Sequence, residues 1–354
     1  MADHPLVDDV YESVMIESAE HGVFIHATDG NVWTRASIPS EGQGLGRVMI
    51  KSSQLGQIVR NLGGGDVELE LAGSEMLLTS GSYRAKFPVR PAVEYPPAPS
   101  PEVGRWTTID AQALDPLIES VALCAYDKPD RPALCGVNLE VLGSDIWAVA
   151  ADGARIGCAV VHTGEERFPL TMTLPVPFAR HASRMALSGA IDFGINKFGM
   201  AVFRTETMTV VGKAVGQPFP NWRAAKNLPK DDDPAAMGEF EVKPLLKALK
   251  RVMALTGKSS VPGLRMFLQD GALELHMEQS GKESEEIVSA DEHGGPSACR
   301  MVNGGKLMQI LGSISSPTTR IKIPCNPDHP VGVAPIGEKD DKHVVRFWVM
   351  PRAR

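Results

Sequence analysis

Cysteine is scarce in this chain and forms no recognisable pattern: Cys124, Cys135, Cys158, Cys299 and Cys325 are odd in number and contain no CxxC pair. That argues against a disulfide framework and a zinc-thiolate site, and it suits reduced thiols in a cytosol. No apolar run approaches the roughly 18 residues that a membrane helix needs. The start, MADHPLVDDVYESV, is acidic and has neither the basic opening nor the apolar stretch of a secretory signal, so the expected location is the cytoplasm. Basic charge is in deficit as well, with 36 lysines and arginines against 43 aspartates and glutamates, a net charge of −7. A protein that grips nucleic acid with its whole surface builds affinity from many cationic contacts to phosphate, and this balance argues against one. It leaves room for a protein that surrounds a duplex, acidic outside and basic only along a channel.

Catalytic signatures are missing too. NLGGGD and VNGGKL are glycine-rich, but neither has the GxxxxGK[ST] spacing that cradles phosphates, and they read as turns and a helix start. Nine histidines are scattered without an HxxxH or HExxH pair, so no metal site is expected. There is no GxSxG elbow. Asp152 stands before Gly153 at a strand end, where aspartate is a turn former before it is a catalytic acid. No catalytic residue, metal or cofactor is expected, and the chain does not read as an enzyme.

What is present is repetition. A strand-like run ending in ATDG closes at Asp29 and Gly30, and a run ending in AADG closes at Asp152 and Gly153, 123 residues later. Tyr95 and Pro96 are answered by Phe219 and Pro220 at an offset of 124, and a fainter third copy begins DGALELHMEQSG. One supersecondary unit has been used more than once, which favours an extended or ring-like scaffold. The 354 residues then divide into three units, 1–104, 105–222 and 223–354. Their joints are the proline-rich PAVEYPPAPSPEVG and the stretch FPNWRAAKNLPKDDDPAAMG, both read as linkers.

Within the units, period-two alternation predicts antiparallel strands in VELELAG, EMLLTSGSYRAKF, IDFGINKFGMAVFRTETMTVVGKAV and GLRMFLQDGALELHME. Helices are expected in SSQLGQIVRNLGGG, capped by Ser52 and Ser53, and in AQALDPLIESVALC, PFARHASRMALSG, KPLLKALKRVMALTG and NGGKLMQILGSI. Two helices over a larger set of strands in each unit is an α+β domain with helices covering one sheet face. In KPLLKALKRVMALTG the apolar face is Leu245, Leu246, Leu249, Val252 and Met253, and the other carries Lys243, Lys247, Lys250 and Arg251. Arg180 and Arg184 make an i, i+4 basic pair on a second helix, beside His181, and Arg60 adds one charge to a third. A solvated helix face explains any one of these. Basic faces in several repeats of an acidic chain suggest a shared ligand. AQALDPLIESVALC breaks the pattern with Asp115 and Glu119.

Taken in order, VAADGARIG, QPFPNWRAAKNLP, MVNGGKLMQIL, SEEI and the ending VMPRAR resemble motifs of the bacterial sliding clamps, the β subunits of the replicative DNA polymerase III, over nearly the whole chain. The resemblance implies three tandem clamp domains forming half of a closed homodimeric ring, with antiparallel sheet outside and helices inside. It implies a processivity factor that encircles duplex DNA without reading sequence. The implied partners are the DNA polymerase III alpha subunit, the clamp loader and other proteins carrying a clamp-binding motif. Its channel residues would be Arg60, Arg180, Arg184, Lys247, Lys250 and Arg251, and its dimer interface would include Phe87 and Leu255.

The family's pocket takes short peptides with glutamine and large apolar residues. Matched position by position, it falls here on Leu134, Ala151, Gly153, Ala154, Arg155, Ile156, Pro220 and Ala224, then on Val261, Asn303, Lys306, Trp348, Val349, Met350, Pro351 and Arg352. Arg155 and Asn303 are expected to orient a peptide amide. From the residues alone, Leu134 and Ile156 read as core packing before they read as pocket. Lys306 stands for an aromatic, Ala154 for a histidine and RAR for MRL, so a different peptide preference is expected. The stretch before YESVMIESAE is shorter than the family's, and the first unit reads as shortened. A clamp-like paralogue that does not close a ring, acting as a peptide-binding adaptor, is the alternative.

Overall fold

The computed structural model describes residues 8–20, 22–41, 44–225, 228–230, 232–255, 263–337 and 343–352. Its helices are α1 (Asp8–Tyr11), α2 (Ser52–Arg60), α3 (Ala111–Ala122), α4 (Val176–Ser183), α5 (Val242–Val252) and α6 (Gly304–Ser313). The first strands are β1 (Ser13–Ala19), β2 (Gly22–Thr28), β3 (Val32–Ile38), β4 (Gly46–Lys51), β5 (Glu68–Ala72), β6 (Glu75–Ser80), β7 (Tyr83–Pro88) and β8 (Arg90–Pro91). Next come β9 (Thr107–Asp110), β10 (Val137–Ala151), β11 (Arg155–Leu174), β12 (Ala190–Ile195), β13 (Met200–Arg204), β14 (Met208–Lys213) and β15 (Ala235–Glu241). The last are β16 (Gly263–Gln269), β17 (Ala272–Gln279), β18 (Lys282–Ser289), β19 (Glu292–Gly294), β20 (Ala298–Asn303), β21 (Thr318–Pro324), β22 (Val331–Ile336) and β23 (His343–Val349). The expected α+β class, with antiparallel sheets and few helices, is what the chain adopts.

Two compact units emerge, each assembled from two stretches of chain: 1–108 with 190–213, and 109–189 with 214–354. In the first, a nine-stranded sheet runs β8-β4-β1-β2-β3-β14-β13-β12-β9, and β5-β6-β7 form a small sheet. In the second, a seven-stranded sheet runs β10-β11-β23-β22-β21-β15-β19, beside the four-stranded β18-β17-β16-β20. In each large sheet one pairing joins strands farther apart in sequence than any other pairing does. β3 pairs with β14, setting Val32 opposite Gly212, and β11 pairs with β23, setting Arg155 opposite Val349 and Ile156 opposite Trp348.

The cores follow from the alternation. Ile16, Val48, Ile50, Met76, Leu78, Phe87 and Val89 form a buried cluster in the first unit. In the second, α3 turns Leu114, Leu117, Ile118 and Val121, all fully buried, toward β10 and β11. Each such side chain contributes about 2 kcal/mol by leaving water.

Several expectations change. Ser52 and Ser53 do not cap α2; its N-cap is Lys51, and Ser52 Oγ instead donates to the Glu12 carbonyl at 2.6 Å, tying the helix start to the end of α1. Phe87 is 3% exposed inside the first-unit cluster, because alternation along β7 turns it inward between exposed Lys86 and Pro88. It is a core residue with no surface to offer a second subunit. Leu255 is 42% exposed. The stretch read as a second linker holds a 3-10 turn, Trp222–Ala224, capped by Asn221. No helix among the described residues is long and apolar enough to cross a membrane.

Candidate functional site

The site grows from the AADG turn that joins β10 to β11. Gly153 adopts φ +85°, a left-handed conformation that glycine reaches without steric cost. Asp152 Oδ1 accepts the Ala154 and Arg155 backbone N–H groups at 2.9 and 3.0 Å, which closes the turn locally. The other oxygen, Oδ2, faces two cations, Arg155 Nε at 3.1 Å and Lys306 Nζ at 2.7 Å. Arg155, only 4% exposed, also donates from Nη1 to Gln309 Oε1 at 2.8 Å and from Nη2 to the Leu123 carbonyl. The guanidinium thus ties the end of α3 and the face of α6 to the turn. A buried charge is tolerated only when paired and hydrogen-bonded, and this one is.

The residues expected in the pocket therefore separate. Ala151, Ile156 and Trp348 lie on one face of the β10-β11-β23 sheet, since Ala151 pairs with Ile156 and Ile156 with Trp348. Gly153 and Ala154 form the turn beside them, and the Met350 N–H donates to the Ala154 carbonyl at 2.8 Å. Pro351 bridges to Val302, and the Arg352 N–H reaches the Met301 carbonyl at 2.9 Å, so the chain end is laced to β20. Val349 is fully buried. Leu134 is half-buried in the 3-10 turn Pro132–Leu134, and Pro220 and Ala224 are exposed. Val261 lies outside the described residues.

One expected role is corrected. Arg155 has its Nε, Nη1 and Nη2 donors committed inside the protein, and Asn303 spends Oδ1 on the Lys306 N–H at 3.1 Å as the N-cap of α6. Arg155 thus builds the site's wall instead of presenting itself to a peptide amide, and Asn303 caps the helix beside it.

Beside this turn, along the same sheet face, lies a cavity of about 650 Å³ that sequence reasoning reached only through Ala224 and Trp348. Trp147, Trp222, Arg223, Lys230 and Arg346 were missed. Trp222 follows Pro220 closely and carried a faint signal, whereas only the strand register brings Trp147 and Arg346 here. Cys158 on the cavity floor is pushed up to about 12 by burial and stays a thiol.

The basic helices are also only partly as expected. Arg180 Nε meets Glu119 Oε1 at 2.9 Å, and Arg184 meets Glu119 at 2.5 Å and Asp115 at 3.3 Å, so the acidic face of α3 neutralises α4. Arg251 Nε pairs with Glu286 at 2.9 Å, and that hydrogen bond holds the Glu286 carboxyl below its ordinary value. Lys247 and Lys250 of α5 are exposed without a carboxylate partner among the described residues. Arg60 is exposed at the end of α2, its Nε turned back on the Gly56 carbonyl at 2.9 Å.

A chain of antiparallel sheets continued through strand pairings, with two-helix layers and a groove at the second pairing, defines a clamp-type fold. It is shared by the solved beta subunit of DNA polymerase from Streptococcus pyogenes, at TM-score 0.85 and 17% identity over 100% of this chain and 95% of that one. Residues 4–99 match the family described as DNA polymerase III beta subunit, N-terminal domain. The beta sliding clamp of Streptomyces coelicolor is 24% identical over 326 residues, 88% of this chain and 83% of the relative. That of Salmonella typhimurium is 24% identical over 272 residues, 73% and 70%. The chain is thus similar to beta sliding clamps of DNA polymerase III over most of its length and shares their fold.

Proposed function

We propose that this chain is a non-catalytic processivity factor: a homodimeric cytoplasmic ring around duplex DNA that tethers replication and repair proteins. The DNA polymerase III alpha subunit and the clamp loader would be among them, each docking a short peptide beside the β11–β23 pairing. The observation that carries this reading is that pairing itself, which draws Ala151, Gly153, Ala154, Ile156, Trp348 and Met350 from two distant stretches of chain to one edge. We read the chain as three clamp domains, 1–104, 105–222 and 223–354, with the β3–β14 and β11–β23 pairings as their joints. Ring closure would use the exposed sheet edges β7 and β18, which carry unpaired backbone groups. Lys247 and Lys250 are the leading candidates for loose contacts to phosphate.

Light scattering on the eluted protein tests closure: a ring runs near twice the 38.1 kDa chain mass. Loaded protein should be retained on nicked circular DNA and lost when the circle is cut. Ala154→Arg should abolish peptide binding while leaving that mass unchanged; unchanged peptide affinity would remove the pocket assignment. A second reading, an adaptor that does not close, draws support from the neutralised arginines of α4, and it predicts a monomer mass.

A further inference from the structure

The cavity beside the turn has a chemistry of its own. Trp222 sits between Trp147 and Trp348, with ring centroids 5.9 and 6.5 Å away and planes tilted by 52° and 44°. Tilted rings leave edges and faces on which another aromatic can settle. The Arg223 guanidinium lies 4.8 Å over Trp147 and 4.3 Å over Trp222 and is anchored by Glu140. That bond uses Nη1, and the remaining Arg223 N–H groups have no acceptor among the described residues. Although the protein is acidic overall, no described residue lining this cavity is acidic, while Arg223, Lys230 and Arg346 all line it. The Trp222 indole N–H is buried and has no acceptor among the described residues.

We propose that this groove receives an aromatic–acidic flank of the partner peptide, the ring in the tryptophan cradle and the neighbouring carboxylates on Arg223 and Lys230. The inference rests on the peptide reading above and adds to it the class of partner this chain selects. A volume of about 650 Å³ holds two or three side chains. Charge complementarity favours a carboxylate, which pairs with arginine through charge-assisted hydrogen bonds. The groove also runs along the face that carries Ile156 and Trp348, so one extended peptide can reach both. Single-stranded nucleic acid, the other ligand that seeks tryptophan and arginine, fits less well, because a cavity of about 650 Å³ is short of the roughly four or more nucleotides that such sites track.

The test uses the full chain and fluorescein-labelled peptides: a six-residue core of glutamine, leucine and alanine, alone or extended at either end by Trp-Asp-Glu, Trp-Asn-Gln or Ala-Asp-Glu. From one end, Trp-Asp-Glu should bind about tenfold tighter than the amide extension, with an advantage that shrinks as salt rises. Ala-Asp-Glu should lose most of the gain. In Lys230→Gln and Arg223→Gln the acid and amide peptides should come within about twofold of each other; Lys230 is exposed, so its variant keeps the test sound if loss of Arg223 disturbs Glu140. Equal affinity of acid and amide peptides, with the core peptide still bound, overturns the inference and leaves the pocket reading standing. Displacement of the acidic peptide by a ten-residue oligothymidine at equal concentration overturns it in favour of nucleic acid. A core peptide that fails to bind removes both readings.

Discussion

The turns at Asp29 and Asp152 have the same local build and opposite surroundings. Asp29 Oδ1 accepts the Asn31 and Val32 N–H groups at 2.8 Å, as Asp152 Oδ1 accepts those of Ala154 and Arg155, and Gly30 and Gly153 share φ near +85°. Each turn launches the strand that carries its sheet into a distant partner, β3 into β14 and β11 into β23. At the first, Val32 stands at the place of Arg155, Asp29 is exposed, and Lys213 reaches the Gly30 carbonyl and Asn31 and lies over the Trp33 ring. At the second, the same aspartate anchors a buried guanidinium and a lysine. Turn formation is thus the constant part of the repeat, and ion pairing is an addition made once, beside the candidate groove.

Removing the addition should cost most. Arg155→Leu leaves Asp152 buried with only Lys306, and a loss of about 3–5 kcal/mol is expected by urea unfolding, against less than about 1.5 kcal/mol for Val32→Ala. Equal losses at the two positions would break the comparison. Next is Asp152→Asn, which keeps the turn acceptor and removes the charge: about 2–3 kcal/mol is expected, while Asp29→Asn should stay within about 0.5 kcal/mol. Lys306→Met should cost about 0–1 kcal/mol, since its side chain is 32% exposed and water screens the pair.

The smallest expected signal is chemical. Cys124 lies against Gly157 beneath Arg155, and burial pushes its thiol up to about 12. A thiol reagent at pH 8 should therefore label exposed Cys299 and Cys325 and spare Cys124, which should become reactive in Arg155→Leu. Labelling of Cys124 in the intact protein at the rate of Cys299 would show that the network does not close the site.

The helices extend the lesson. Asp115 and Glu119, an exception to the basic pattern in sequence, are the partners of Arg180 and Arg184 on the neighbouring helix. Phe87, which the resemblance placed at a subunit interface, is turned into the core by the alternation along β7, because a strand pattern gives the period and not which face is inward. Ser52 and Ser53 looked like caps because cap preference is local, yet the Glu12 carbonyl, 40 residues away, claimed the Ser52 hydroxyl.

By itself the amino-acid sequence determined the Asp-Gly turns, the amphipathic α5, the strand periodicity and the repeat that relates them, since each depends on groups a few residues apart. Tertiary structure alone decided that Arg155 meets Gln309 across 154 residues, that α3 neutralises α4, and that Trp147, Trp222 and Trp348 share one cavity wall. The reason is register: pairing β11 with β23 fixes which distant side chains face each other, and no local preference encodes that choice.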